Sequence, residues 1–262
     1  MVADLSPGKR DIAGEYDRSA GRFAELADRL VYSHLCVPLA EELSGAQGMV
    51  LDVAAGTGAL GRLLSRCVAT DLSFGQLSFN PIGRRVQADA ERLPFADDSF
   101  AAAGCAFGIN HFPAPDAAVG EMARLAPVVG VLTWERPEVP YAPKEAVFAV
   151  LERHAGSRRT SVGLLVEEMS TAVGSEHAVG ALLSGAGLDS RVRAVTVEVP
   201  WPGAAAYVDY RLAMSGSFEL VDDPARLTRE AVAAVESLPP GAIRWTPRLI
   251  LGIGDRPDAV LC

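Results

Sequence analysis

The stretch VLDVAAGTGALG, residues 50–61, gathers the residue types with the most chemical meaning in the chain. Its last six residues spell G-x-G-x-x-G. Glycines at that spacing let the backbone turn sharply from a strand into a helix and approach a ligand beside the helix N-terminus. Several cofactor classes use such a turn, so the spacing by itself does not choose among them. Two carboxylates narrow the choice. Asp52 stands four residues before the first glycine, within the strand, where it repels a pyrophosphate and attracts a cation. Asp71 follows the last glycine by only ten residues, short of the ~20-residue interval at which a dinucleotide site carries its acidic residue. Both features argue against NAD.

Hydrophobic periodicity supplies the elements that must position these residues. Residues 9–43 read as helical, with Ile12, Tyr16, Phe23, Leu26, Leu30 and Leu35 on a 3.6-period face, and Pro38 bends or divides the run. GMVLDVAA reads as a buried strand, GALGRLLSR as a short helix, and CVATDLS, RRVQADA and SFAAAGCAFGI as further strands. DAAVGEMARLAP is a helix leading into a fifth strand, VVGVLTWE. Strands separated by helices imply crossovers and a parallel sheet covered on both faces. Beyond Trp134 the texture changes. KEAVFAVLERHAG and SVGLLVEEMSTAV are helical, and SEHAVGALLSGAG carries a serine N-cap and a glycine at its end. LDSRVRAVTVEVPW and TPRLILGIGDRP are strands, with a helix between them opened by Asp222, Asp223 and a proline. The fold class is therefore α/β: a Rossmann-like, mostly parallel seven-stranded sheet with helices on both faces, N-terminal helices and helical cap insertions. The expected organisation is one domain, 1–262. Residues 1–45 cover the cofactor, 46–136 bind it, and 137–175 with 201–243 cap the sheet's carboxyl edge.

Composition excludes several classes. The 262 residues are 49% hydrophobic and 22% charged, enough for a sizeable core. A net charge of −9 leaves no basic face for nucleic acid, and the pairs Arg84–Arg85 and Arg158–Arg159 read as solvated surface. The four cysteines, Cys36, Cys67, Cys105 and Cys262, and the four histidines show no metal spacing, so no metal is expected. The start lacks the apolar run of a signal peptide, and the apolar runs fall short of a membrane span. A cytoplasmic protein with a small-molecule partner is expected, with no nucleic-acid or membrane partner.

Taken together, the blocks VLDVAAGTGALG, VATDLS, VQADAERLPFADDSF and GINHFPAPDAAVGEMARL resemble the class I S-adenosylmethionine-dependent methyltransferases. The branch they are most similar to modifies ubiquinone precursors, sterols and natural products. The resemblance runs from about Val50 to Trp134 and fades after Glu138 to a matching layout of elements. It implies S-adenosyl-L-methionine as cofactor, with Asp52, Ala54, Gly56 and Gly58 around its amino acid end. It further implies that Asp71 accepts both ribose hydroxyls, with Leu72 on the adenine and Asp89 and the Ala90 amide at the amino edge. Ala106 and Phe107 would lie beside the sulfonium, and Tyr16 on a helix closing over the cofactor. Two departures stand out: Asp52 to Asp71 is shorter than usual, implying a clipped first helix, and Ala55 replaces a frequent Gly or Cys.

Absent motifs narrow the acceptor. GINHFPAP replaces the N/D-P-P-aromatic motif of adenine-N6 enzymes, and no Pro-Cys nucleophile or three-cysteine set is present. A hydrophobic small molecule remains, methylated at oxygen or carbon, with secondary metabolism the expected setting. Cyclisation or another non-methylating reaction on the same fold is the alternative. His111, just past the fourth strand, is the first candidate base for a neutral hydroxyl, and Glu135, ending the fifth strand, the second. Both also admit a bland reading, structural for His111 and surface carboxylate for Glu135. His154, Tyr207, Asp209 and Tyr210 lie in the cap, and Trp134, Trp201 and Tyr207 are candidates to line an aromatic pocket.

Overall fold

A computed structural model describes residues 5–155, 161–215 and 221–257. Cys262 and the Arg158–Arg159 pair lie outside them. Seven strands form one sheet: β1 (Val50–Val53), β2 (Cys67–Asp71), β3 (Arg85–Gln87), β4 (Ala102–Ala106), β5 (Val128–Trp134), β6 (Asp189–Thr196) and β7 (Arg248–Asp255). Their spatial order is β3-β2-β1-β4-β5-β7-β6. The first five pair in parallel, whereas β7 runs antiparallel between β5 and β6. This is the mostly parallel Rossmann-like sheet expected from the alternating elements. All four residues of β1 are buried, which suits a strand covered on both faces.

The edges are managed differently. β3 is only three residues long. β6 is largely exposed and presents Arg191 and Arg193, which pair with Asp255 and with Glu42, a charged margin that discourages strand addition.

The N-terminal helical run divides into α1 (Pro7–Arg22), a π-helical segment (Phe23–Tyr32), α2 (Ser33–Leu35) and α3 (Val37–Leu43). Pro38 falls in the first turn of α3, where its missing N–H leaves no bond unmade. The helix expected after the glycine turn shrinks to one 3₁₀ turn, Gly61–Leu63, because β2 begins only four residues later. A short helix that periodicity did not reveal, α4 (Phe74–Phe79), starts from Ser73, whose hydroxyl accepts the Gln76 amide at 3.0 Å. The remaining helices are α5 (Pro115–Leu125), α6 (Ala142–Ala155), α7 (Ser161–Ala172), α8 (Glu176–Gly185), α9 (Ala204–Ala213) and α10 (Pro224–Glu236). Ser175 and Asp223 cap α8 and α10, and Gly187 takes the left-handed turn after α8 (φ 78°).

α3 packs closely on the sheet over glycines. A methyl on Gly104 would stand 2.6 Å from Leu43 Cδ1, and one on Gly130 would stand 2.5 Å from Leu39 Cδ1. Both leucines are buried, so neither can step aside without moving its neighbours. Gly104→Ala should therefore lower stability by about 1–3 kcal/mol through overpacking, as measured by denaturant unfolding.

Candidate active site

The carboxyl ends of β1, β2 and β4 converge on a cleft. Asp52 in β1 is buried, and Asp71 ends β2. Between them the chain makes its tightest turn, with Ala54 (φ 55°), Gly56 (φ 51°) and Gly58 (φ 99°) all left-handed. Phe107, just past β4, is left-handed as well (φ 59°). Ala54 and Phe107 gain nothing from glycine's freedom, and each such conformation costs on the order of 1–3 kcal/mol. The strand ends also touch: a methyl on Gly108 would lie 2.5 Å from the Ala54 Cβ.

Asp71 organises the turn. Its Oδ2 accepts the Gly56 amide at 2.8 Å, and its Oδ1 accepts the Ser73 amide at 2.8 Å. Desolvation pushes its carboxyl up to about 6, against the pull of those amides. The Leu72 amide also contributes, and with about four lone-pair sites the carboxylate can still accept a donor from the cleft. Beside it, the buried Oε1 of Gln76 faces Gly56 with no hydrogen-bond partner.

α1 lies across the cleft. Lys9 Nζ donates to Asp89 (2.6 Å) and Glu91 (2.5 Å), with its side chain only 13% exposed. Asp17 accepts from the Ser73 hydroxyl and the Gly75 amide (2.7 Å), and Gln76 Nε2 donates to the Tyr16 carbonyl (3.2 Å). The cleft's lining includes Tyr16, Asp52, Ala54, Gly56, Asp71, Leu72, Asp89, Ala90, Ala106 and Phe107. Gly58 supports the turn from behind, where a methyl would meet Asn80 Oδ1 at 2.9 Å. Lys9, Ser73 and Gln76 were missed by sequence reasoning. Ser73 was findable as an N-cap, whereas Lys9 meets Asp89 and Glu91 only across 80 residues of chain.

A second cavity adjoins the first and is roomier, with 490 Å³ of internal space against 140 Å³. Tyr16, Phe23, Tyr32 and His111 belong to both linings. The Tyr16 hydroxyl is 3.3 Å from the His111 ring nitrogens, and Asn110 Nδ2 lies 3.2 Å from His111 Nε2 and 3.2 Å from the Ser170 hydroxyl. Burial pushes the His111 imidazole down to about 4, so the ring is neutral at physiological pH. Burial raises the Tyr16 hydroxyl, which stays protonated.

Glu135 lines the second cavity but is held by Arg248 in a bidentate pair of 2.5 and 2.9 Å. That pairing engages both oxygens. His154 pairs with Glu230 at 3.0 Å and borders neither cavity, and Asp209 is exposed. Trp134, Tyr207 and Tyr210 line the second cavity, whereas Trp201 packs behind them on Tyr207 and Tyr210. Cys36, Cys67 and Cys105 are buried, and none of them forms a disulfide among the described residues. Among the described residues no cluster of metal ligands occurs, and no helix is long and apolar enough to cross a membrane.

With this geometry in view, the family model described as "Methyltransferase domain" matches residues 51–133. Over those residues the chain is similar to a methyltransferase domain. They hold β2, β3 and β4, almost all of β1 and β5, the glycine turn and both acidic strand positions. A demethylmenaquinone methyltransferase of Mycolicibacterium paratuberculosis is 36% identical over 135 residues, 47% of this chain and 58% of that protein. The chain thus spans less than two thirds of that relative's length. An Anabaena variabilis protein described as a methyltransferase from an antibiotic biosynthesis pathway shares the fold at a TM-score of 0.59 and 14% identity, over 84% of this chain and 98% of its own. The [4+2]-cyclase SpnF shares it at 0.50 and 16%, over 95% and 97%.

The cleft fits S-adenosylmethionine on its own features: an incompletely used, part-buried carboxylate, an orphaned amide oxygen and a cradle that side chains would fill. Hydroxyl donors stabilise the charged form of Asp71 and lower its pKa on binding. Affinity for S-adenosylhomocysteine should then fall as pH drops below about 6, where binding must first expel the Asp71 proton. Calorimetry in buffers of different ionisation enthalpy should show that proton release. Asp71→Asn should abolish it and weaken binding by about 1.5–3 kcal/mol.

Proposed function

We propose that the protein transfers a methyl group from S-adenosyl-L-methionine to oxygen or carbon of a hydrophobic small molecule, in the cytoplasm and in secondary metabolism. One observation carries the reading: the cofactor cleft and the aromatic chamber share the wall formed by Tyr16, Phe23, Tyr32 and His111. A molecule in the chamber meets the cleft there. The methyltransferase domain and the relative acting on demethylmenaquinone support the same reading. The chain acts as one unit, with residues 137–175 and 201–243 serving as the cap over that chamber.

When bound, the cofactor supplies an electrophilic methyl on a sulfonium. Asp52, Ala54 and Gly56 would hold its amino acid end, with Gly58 bracing the turn behind them, and Asp71 would hold its ribose. Leu72, Asp89 and Ala90 would flank its adenine, and Ala106 and Phe107 would stand near its sulfur. The protein's main task is alignment in a site shielded from water, a contribution of about 7–11 kcal/mol in favourable cases. His111 is placed at the shared wall, but its conjugate acid is disfavoured by burial. A group that protonates only near 4 is a weak base for an ordinary phenol of pKa about 10. We assign His111 to positioning: with Tyr16 it offers a hydrogen-bonding pair to the acceptor's oxygen. The acceptor itself arrives acidic or already ionised.

Incubation with isotope-labelled methyl donor and aromatic acceptors, read by mass spectrometry, should show label in product. Product without label would instead support a non-methylating reaction. His111→Gln, which keeps a hydrogen-bonding group, should retain turnover within about tenfold, since loss of a true general base costs about 10²–10⁴-fold. Wild-type turnover should show no imidazole inflection near 6.5. His111 titrates at about 4 in the fold, so its neutral fraction is already complete there. A 10³-fold loss in the Gln variant together with an inflection near neutrality would restore the base role.

A further inference from the structure

All five tyrosines of the chain line the second chamber: Tyr16, Tyr32, Tyr141, Tyr207 and Tyr210. They arrive from α1, the π-helical segment, the approach to α6 and α9, so their meeting is a product of the fold. Trp134 and Trp245 join them. Trp245 stacks on Trp134 and on Tyr141 with interplanar angles of 24° and 25° and centroids 5.9 and 6.0 Å apart. Burial raises every one of the five phenols, which therefore face the chamber as neutral hydroxyls.

The charge of this chamber opposes that of the whole chain. Five cations line it (Arg136, Lys144, Arg211, Arg244 and Arg248) against three acids (Glu15, Glu135 and Glu138), in a protein of net charge −9. Four of the cations already have carboxylates. Arg248 holds Glu135, Arg136 and Lys144 hold Glu138, and Arg244 holds Glu198. Arg211 has no carboxylate within ion-pair distance among the described residues, although it hydrogen-bonds the Tyr210 side chain and feels the charge of Glu138. Its guanidinium lies 5.0 Å over the Phe148 ring, and its Nε is buried without a hydrogen-bond partner. α9 carries Tyr207, Tyr210 and Arg211 at helical spacing, with Met214 at its end, so one helix face brings the phenols and the guanidinium to the same wall. This half-buried guanidinium touches no carboxylate, and its planar fork suits a carboxylate or similar oxyanion.

The geometry points to an acceptor class: a planar aromatic molecule bearing an anionic oxygen, its ring against the aromatic walls and its charge on Arg211. The inference rests on the reading of this chamber as the acceptor site. The anionic oxygen has two possible sources, a carboxylate and an ionised hydroxyl, and the two share the chemistry that Arg211 recognises. An acceptor that arrives ionised also removes the need for a strong base at His111.

Calorimetry at neutral pH, with and without saturating S-adenosylhomocysteine, tests the assignment with 1-hydroxy-2-naphthoate, 2,4-dinitro-1-naphtholate, 1-naphthol and decanoate. At least one aromatic anion should bind about tenfold or more tighter than both 1-naphthol and decanoate, and Arg211→Met should erase that preference. Whichever aromatic anion binds tighter identifies carboxylate or ionised hydroxyl as the source. Because loss of the Phe148 contact can unsettle α9, Arg211→Lys serves as a second variant. It keeps the charge without the fork and should bind the anion several-fold more weakly while still preferring it to 1-naphthol. Equal binding of 1-naphthol or of decanoate, no binding of either aromatic anion, or an anion affinity unchanged in both variants overturns the assignment. An Arg211-dependent preference without any label transfer sinks the methyl-transfer reading alone, and label transfer without that preference sinks this one alone.

Discussion

The Asp71 carboxylate, drawn out of water at the end of β2, is bound by two backbone amides that belong to different parts of the chain. The Gly56 amide comes from the glycine turn and the Ser73 amide from the start of α4. A buried charge needs such donors, and their geometry then sets the path of the backbone that supplies them. The left-handed conformations of Ala54 and Gly56 belong to the same turn that presents the Gly56 N–H to Asp71. The same node reaches α1. Ser73 and Gly75 are tied to Asp17, and Gln76 to the Tyr16 carbonyl, so the helix lying over the cleft is anchored on the loop that its carboxylate organises. Lys9 secures the far end on Asp89 and Glu91.

The wall between the two cavities follows from that anchoring. Once α1 is fixed, Tyr16 is delivered to His111, and the π-helical segment behind it carries Phe23 and Tyr32 to the same place. Tyr32 packs edge-on against Phe107, the strained residue at the end of β4. Local strain at a strand end is tolerated where surrounding packing over-determines it, and here aromatic contacts from a separate element do so. Burial then sets the electrostatic character of the wall: a neutral imidazole and neutral phenols, polar enough to orient a ligand and poorly suited to hold a charge of their own.

Charge is distributed unevenly through the molecule for a physical reason. An acidic chain keeps its carboxylates mostly at the surface, where solvation is cheap, while the chamber collects cations of which most pair with acids and one, Arg211, lies over the Phe148 ring. Glu135 illustrates how context overrides type. As a carboxylate at the end of β5 it has the position of a catalytic base, yet the antiparallel neighbour β7 brings Arg248 alongside and converts it into half of an ion pair.

The parts set by neighbours in sequence could be read directly. The buried β1, the glycine turn, Asp71 at the end of β2, the caps of α8 and α10 and the parallel layering all follow from local pattern, because backbone geometry and hydrophobic period act over a few residues. The clipped helix after the turn was legible too, from the short interval between Asp52 and Asp71. What neighbours in space decide was not legible. Lys9 with Asp89, Tyr16 with His111 and Arg248 with Glu135 meet across 80, 95 and 113 residues. Periodicity alone did not predict the π-helical segment, α4 or α9. The sequence by itself determined a mostly parallel α/β sheet with a cofactor turn at its carboxyl edge, since those features are written in local spacing. Only the tertiary structure decided that His111 is neutral, that Glu135 is engaged and that five scattered tyrosines face one chamber with Arg211, because burial and ion pairing depend on which distant segments the fold brings together.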